Sequence, residues 1–352
     1  MEKKSFGEYL PLVGKIAARF FITLLASLLI LLAGIWSAMF IIVNGPSPTV
    51  GKLFILSLKE TSAAGFIADW FMSEEEIEAL RAERAEDAEG NVNASLIKLP
   101  EVERDPETGE FTGPAAGSED DVLSGIEVHD VKGGTYNGKM IVVKDPRRVF
   151  VGVPEAYGED KKGLSLSAMI EKYGALGGTN AGGFIDPSGS GTGGLPEGIV
   201  IYENELLWGE PGGSYSIAGI DGEGLLHVGK MTGEKAMSLG IKYAVSYGPA
   251  LIINGEPCNA KRSLGGGINP RTAIGQRADG AMLLLVVNGR QIDSLGASLD
   301  DLVEVMLSFG AVNASNLDGG SSSLMKLDGK YLNTSSYILG GERVLASAIL
   351  IK

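Results

Sequence analysis

Residues 20–43 form an uncharged, mostly apolar run of 24 residues, and this run constrains the chain more than any other segment. Wound as a helix, a run of that length crosses the hydrocarbon core of a bilayer. Lys3, Lys4, Lys15 and Arg19 precede it. The positive-inside rule then puts the N-terminus in the cytoplasm and the residues after the run outside. A cleavable signal peptide is the competing reading. Its apolar region is usually about 7–15 residues long and ends in a small-x-small site. Here the run ends in Asn44-Gly45-Pro46-Ser47-Pro48, a break rather than a cleavage site. The expectation is a single-pass protein of the cell membrane, with residues 1–45 as cytoplasmic N-terminus and transmembrane anchor.

Residues 46–125 read as a membrane-proximal helix followed by an acidic linker. Phe54, Leu58, Phe66, Trp70 and Phe71 suit the apolar side of such a helix. Residues 74–89 are charged and alanine-rich, as in an exposed helix. Residues 91–121 are acidic with scattered Pro and Gly, as in a flexible linker. The net charge of −14 comes almost entirely from this part of the chain. Residues 73–121 carry a net −12, so the remainder is close to neutral. No basic stripe exists, which argues against a nucleic-acid partner.

Residues 126–352 read as one folded domain. Strands are expected at 140–143 and 149–153, around a turn at Asp145-Pro146. Further strands are expected at 199–202, 216–220, 225–228, 250–253, 282–287 and 346–351. Helices are expected at 165–173, 232–240 and 299–309, where apolar residues recur on one side. Strands outnumber helices and do not alternate with them. The fold class is therefore α+β: a single sheet-rich domain with flanking helices, preceded by one transmembrane helix and the acidic linker. Cys258 is the single cysteine, which excludes an intrachain disulfide. His129 and His227 lack metal-ligand spacing. Gly189-Ser190-Gly191-Thr192-Gly193-Gly194 satisfies a dinucleotide fingerprint, but Leu195-Pro196-Glu197-Gly198 and a strand follow it instead of a helix.

Three Gly-rich segments carry chemistry. In Asn316-Leu317-Asp318-Gly319-Gly320-Ser321-Ser322-Ser323 one carboxylate ends an apolar approach, and two glycines and three hydroxyls follow it. Glycines let backbone N–H groups approach a ligand closely. A lone Asp among such donors is a candidate ionised group. The plainer reading is a Gly-Ser loop with a helix cap. In Asn269-Pro270-Arg271-Thr272-Ala273-Ile274-Gly275, which follows Gly265-Gly266-Gly267, the planar fork of Arg271 suits an anionic oxygen group. Here the plainer reading is an ordinary surface arginine, against which the glycines argue for a shaped loop. In Gly177-Gly178-Thr179-Asn180-Ala181-Gly182-Gly183-Phe184 the amide of Asn180 lies among small residues, and a simple turn is the plainer reading.

Together, TNAGGF at 179–184, PRTAIG at 270–275 and NLDGGSSS at 316–323 resemble, in order and spacing, the phosphodiester glycosidase family. That family includes N-acetylglucosamine-1-phosphodiester α-N-acetylglucosaminidase and bacterial exopolysaccharide-related proteins. The resemblance runs from about residue 126 to the C-terminus, about two thirds of the chain. One departure is Ile185, where many members carry a second aromatic residue.

The resemblance implies a hydrolase that cleaves sugar-1-phosphodiester linkages in cell-surface or exopolysaccharide glycans. Its partners would be the glycan substrate and, through the N-terminal helix, the membrane. Breaking the anomeric C–O bond builds positive charge on the sugar and releases a phosphate monoester, and glycosidases usually pair two carboxylates for such a step. On this reading Asp318 meets the developing charge or activates water. Arg271 binds phosphate, Thr272 donates a hydrogen bond to it, and Asn180 holds sugar hydroxyls or a phosphate oxygen. Gly182, Gly183, Phe184, Asn269, Gly319, Gly320 and Ser321 are expected to line the same pocket. Asp186, Glu197, Asp279 and Asp293 are the candidates for a second carboxylate. No cofactor is required. A divalent cation is compatible with the Asp and Asn groups, although no ligand spacing shows one. The alternative function is a non-catalytic polysaccharide-binding or assembly protein of the cell envelope.

Overall fold

The computed structural model describes residues 6–61, 64–82, 88–100, 123–186, 191–258, 267–337 and 340–352. The acidic stretch from 101 to 121, together with Lys3, Lys4, Gly189, Ser190, Gly265 and Gly266, lies outside the described residues.

Helix α1 (Phe6–Asn44) contains the apolar run. Its portion Gly14–Asn44 is long and apolar enough to cross a membrane, by length and composition. Pro48 then opens α2 (Pro48–Lys59), and Ser47 caps it by accepting from the Val50 N–H. Two short helices follow, α3 (Gly65–Ala68) and α4 (Glu74–Ala82). The one membrane-proximal helix expected from the sequence is thus several. Ile55, Ala68 and Ile77 are fully buried in a small core of their own, against Val43, Leu58 and Phe71. Residues 91–98, read as part of the linker, instead follow the surface of the folded domain, as does Gly90 before them. The Gly90 N–H donates to Lys230 O (3.0 Å), the Lys98 N–H donates to Ala278 O (2.8 Å), and Ile97 is buried.

The domain begins with β1 (Ile126–Lys132), β2 (Asn137–Val143), β3 (Val149–Gly152), α5 (Leu166–Tyr173) and β4 (Gly177–Asn180). Next come β5 (Val200–Tyr202), β6 (Glu205–Trp208), β7 (Ser214–Asp221), β8 (Leu226–Thr232), α6 (Gly233–Ser238) and β9 (Ile241–Ser246). The chain continues through β10 (Ala250–Ile253), β11 (Glu256–Pro257), β12 (Arg271–Arg277), β13 (Met282–Val287), α7 (Leu299–Ser308) and β14 (Ala311–Leu317). It closes with β15 (Met325–Leu327), β16 (Lys330–Tyr331) and β17 (Ala348–Ile351).

Among the described residues these strands form three sheets, with orders β1-β2-β13-β12-β14-β10-β11, β16-β15-β4-β17-β3 and β6-β5-β9-β7-β8. The fold is α+β, as the strand count and lack of alternation led us to expect. Strands β2 and β3 do not form a hairpin. Asp145 caps a 3₁₀ turn at Pro146–Arg148 that carries the chain from one sheet to another.

Strand β13 shows how the layers meet. All six of its residues are buried. Met282, Leu284 and Val286 face the core shared with the other sheets, and Leu283, Leu285 and Val287 face Leu302 and Met306 of α7. The period of two sends alternate side chains to opposite faces. Helix α7 is fixed in place by a reciprocal capping box between Ser298 and Asp301.

Strand β12 corrects the sequence reading, which treated the segment around Arg271 as a loop. It is a central strand between β13 and β14. Its polar residues hid it. Gln276 is fully buried, accepting from the Leu226 N–H (2.7 Å) and donating to Gly224 O (2.7 Å) and Gly280 O (3.0 Å). A polar residue satisfied in this way is stable in a core, but it leaves no apolar alternation to read.

Candidate active site

Antiparallel pairing brings the three motifs together. Thr272 lies opposite Leu317 and Ala273 opposite Asn316, so the start of β12 adjoins the end of β14. Asn180, the last residue of β4, sends its N–H to Leu324 O (3.3 Å). The Asp318 N–H donates to Ala181 O (2.9 Å), and the Gly320 N–H donates to Pro270 O (2.8 Å). Gly320 has φ +60°, a left-handed conformation that favours glycine, and it turns the chain after Asp318.

The residues so assembled divide into a floor and a cleft. Asn180 and Thr272 are fully buried. Asn180 Nδ2 donates to the Asp318 backbone oxygen (2.5 Å). Its Oδ1 accepts from Thr272 Oγ1 (2.8 Å) and from the Leu324 N–H (3.2 Å). Thr272 Oγ1 also lies 3.2 Å from Ser323 Oγ. These groups are engaged within the protein and hold Asp318 from beneath. The structure therefore puts them in a different place from the sugar and phosphate contacts expected of them.

The amides of Gly182 and Gly183 are likewise engaged. They donate to Ser347 Oγ (3.0 Å) and Ser246 O (3.1 Å). The value of Gly183 is steric: a Cβ there would meet Tyr247 Cδ2 at 2.6 Å and Glu197 Oε2 at 2.8 Å.

Above the floor lies a polar cleft of about 100 Å³, lined by Asp318, Gly319, Gly320 and Ser321 together with Asn269, Arg271, Arg290 and Arg343. A wider cleft of about 500 Å³ adjoins it, bordered by Phe184, Glu197 and Phe66. Glu60, Asp186, Tyr247 and Asp318 line both. Asp318 retains partial exposure but is otherwise enclosed by protein. This desolvation pushes its carboxyl pKa up to about 7. The Ser322 hydroxyl, the positive charge of Arg343 and the Gly319 N–H oppose the rise, while the charge of Glu197 adds to it. Asp318 is therefore poised to give or take a proton near neutral pH.

The three arginines are held differently. Arg271 is buried, with Nε donating to Ala297 O (3.2 Å) and Nη2 to Gly267 O (2.8 Å). Two of its donors are thus engaged by backbone, and the guanidinium still borders the cleft. Arg290 has φ +59° and donates through Nη2 to Asn269 Oδ1 (3.0 Å) and Glu60 O (3.1 Å). Although its side chain reaches solvent, desolvation of the guanidinium lowers its pKa. Glu60 opposes that shift, and the like charge of Arg271 adds to it. Arg343 pairs with Asp186 Oδ2 (2.6 Å), donates to Ser321 Oγ (3.1 Å) and stacks over Phe184, 4.7 Å from the ring centre.

Of the four carboxylate candidates, Asp186 and Glu197 border the cleft with Asp318. Asp279 sits in the β12–β13 turn, accepting from the Ala281 N–H and pairing with Arg277. Asp293 is exposed and accepts from Asn137 Nδ2 (3.2 Å). Neither lines the cleft. Among the described residues, no three or more His, Cys, Asp or Glu side chains are grouped to hold a metal.

Sequence reasoning missed Arg290, Arg343, Tyr247 and Glu60. Arg343 lies just beyond Gly340-Gly341-Glu342 and Arg290 follows Gly289, so each sits in an ordinary turn context. Only the tertiary fold turns them toward Asp318.

Fold and cleft define a class first: a sheet-rich α+β domain with a near-neutral carboxyl among arginines, suited to an anionic ligand. Comparison with known proteins then gives the family. The phosphodiester glycosidase family profile matches residues 173–352, and the chain belongs to that family. A curated relative, the SPbeta prophage-derived uncharacterized protein YomE of Bacillus subtilis (strain 168), is 36% identical over 118 residues. The match covers 33% of this chain and only 18% of that protein's length.

Among solved structures, the zebrafish N-acetylglucosamine-1-phosphodiester α-N-acetylglucosaminidase catalytic domain, auto-inhibited by its pro-peptide, has a similar fold. Its TM-score is 0.53 at 20% identity, covering 77% of this chain and 97% of that one. A putative exported protein from Burkholderia pseudomallei K96243 scores 0.46 at 18% identity, covering 62% and 74% respectively.

Proposed function

We propose that this protein is a membrane-anchored, extracytoplasmic glycosidase that hydrolyses sugar-1-phosphodiester linkages in cell-surface or exopolysaccharide glycans. The observation that carries this reading is the single cleft that joins Asp318, with its raised pKa, to Arg271, Arg290 and Arg343. The arginines offset the phosphate charge and stabilise the leaving monoester. In the reaction the anomeric C–O bond breaks and water supplies oxygen to the anomeric carbon. The water's two protons end on the new sugar hydroxyl and on a carboxylate or the released phosphate. Asp318 shuttles the proton, and Glu197 is the second carboxylate. Phe184 and Phe66 offer apolar surface to the sugar in the wider cleft. N-acetylglucosamine, on which the zebrafish structural neighbour acts, is the first sugar to try.

The test uses the full-length chain against a panel of sugar-1-phosphodiesters. Wild type should release sugar and phosphate monoester, and Asp318→Asn should bind without turnover. Binding of glycans with no turnover by wild type would replace the enzyme with the non-catalytic polysaccharide-binding or assembly protein. Topology is tested separately. Protease added outside intact cells should release the domain, and protection until lysis would reverse the orientation.

A further inference from the structure

An apolar groove of about 520 Å³ runs beside the polar cleft. One wall is α2 with the end of α1, through Leu53, Phe54, Leu58 and Ile42; the other is the domain, through Ile268 and Leu295. Two observations tie the groove to the site. Asn269 and Arg290 line both the groove and the cleft that contains Asp318, so the two spaces meet at a cation. At its other end the groove reaches Ile42, near the end of the helix able to cross a membrane.

The surroundings are those of a membrane interface. Trp36 of α1 stacks with Phe71 at 5.0 Å and meets Trp70 at 5.8 Å. Trp70 is 56% exposed, Leu295 is 58% exposed, and Ile292 is fully exposed. Aromatic residues that are apolar at one end and wet at the other concentrate at that depth. The groove is also held in shape: Ser57 Oγ of α2 accepts from the Ile268 N–H (2.8 Å), and Arg290 donates to Glu60 O.

We propose that the group esterified to the sugar phosphate is a single-chain lipid alcohol resident in the same membrane. Its chain occupies the groove, its phosphate lies in the polar cleft at Arg290 where groove and cleft meet, and its sugar extends past Asp318 into the wider cleft. This deepens the glycosidase reading and rests on it for the reaction. One groove opening at one cation takes one chain, which favours a single-chain lipid over a diacylglycerol. An amphiphile is the ligand whose charge and apolar parts match both ends at once.

The test compares three esters of N-acetylglucosamine-1-phosphate on full-length protein in lipid nanodiscs: methyl, farnesyl and dipalmitoylglyceryl. Each methylene withdrawn from water is worth about fourfold whether bilayer or groove receives it, so the diacyl ester, which partitions at least as strongly, is the control for partitioning. The farnesyl ester should therefore exceed the methyl ester in kcat/KM by about 100-fold or more, and the diacyl ester should not. Leu53→Trp, or Ile268→Trp from the opposite wall, narrows the groove without changing how the lipid partitions into the bilayer. Either should cut the farnesyl-to-methyl ratio at least tenfold, whereas a merely structural defect lowers both rates together. Equal kcat/KM for methyl and farnesyl esters would overturn the inference and leave the glycosidase standing. Preference for the diacyl ester, or a ratio unchanged in both variants, would also overturn it. A farnesyl C-glycosyl phosphonate, which cannot be cleaved, separates the remaining case. If it binds tightly and both variants lose it while no ester is cleaved, the lipid site holds and the glycosidase reading falls. If it fails to bind, the groove assignment falls with it.

Discussion

The floor of the candidate site comes from the three motifs, the cleft adds Arg290 and Arg343 from outside them, and the two have opposite physical character. Asn180 and Thr272 are fully buried, neutral and hydrogen-bonded to protein atoms. Asp318, Arg290 and Arg343 are charged and border open space. The floor gains from closure, because the side-chain polar atoms of Asn180 and Thr272 all have protein partners. The cleft retains charges whose interactions a ligand can join. Residues of one short motif can therefore serve different ends, and spacing alone does not sort them.

The sharpest break between the two regions is Asp318→Asn. Turnover should fall by about 10²–10⁴-fold, the range for loss of a general acid–base group. Stability should move the other way at high pH. The folded-state pKa of about 7 lies above the unfolded value near 4. The folded protein thus binds this proton more tightly, and wild-type stability declines as pH rises from about 4 to 7 and stays lower above that. Asparagine does not ionise. The variant should therefore gain stability over wild type at pH 8, and the gain should shrink toward pH 5, as read by Tm at each pH. Equal Tm differences at both would remove the raised pKa. The wild-type pH–rate profile should also show a limb near pH 7.

Asn180→Leu should do the reverse of Asp318→Asn in stability. It strands the Asp318 carbonyl and the Leu324 N–H, which together cost about 3 kcal/mol or more in denaturant unfolding. Lost activity should appear mainly in kcat, because Asp318 moves while the cleft wall remains. A pure rise in KM would put Asn180 in contact with substrate after all.

Arg343→Lys has a middling effect. Lysine cannot hold Asp186 and Ser321 through a fork while stacking on Phe184. The expected loss is about 2 kcal/mol in kcat/KM for a sugar-1-phosphodiester, with little change in Tm. A large Tm drop with unchanged kinetics would move Arg343 from the cleft to the floor. The smallest effect is Thr272→Ser. It keeps the hydroxyl that Asn180 accepts from, so stability should fall by less than about 1 kcal/mol, whereas Thr272→Val should cost about 1–2 kcal/mol. Equal losses would mean that the methyl group, not the hydrogen bond, holds the floor.

Much of the fold was legible because its signals are local. Residues 282–287 are an unbroken apolar run and became β13; residues 299–309 repeat apolar residues at helical spacing and became α7 behind Ser298. Strand β12 was illegible because its burial rests on partners far away, such as Gly224 and Leu226 for Gln276. The site was legible to the same extent. Asp318, Asn269 and the glycines at 319 and 320 do border the cleft. The reading of Arg271 as a free fork met a side chain whose Nε and Nη2 already hold two carbonyls.

By itself, the sequence determined the apolar span, the α+β class, eight of the seventeen described strands, the three helices of the folded domain, and the three motifs that mark the family. Each follows from hydrophobic period, turn residues or short-range spacing, which a chain carries wherever it folds. The tertiary structure alone decided which motif residues face the cleft and that Arg290 and Arg343 join them. It also decided that α2 walls an apolar groove leading to the same place. Those outcomes depend on pairing and packing between residues as far apart as Glu60 and Arg290, or Asp186 and Arg343. Burial and the charge of distant neighbours, which no local pattern encodes, set the near-neutral pKa of Asp318.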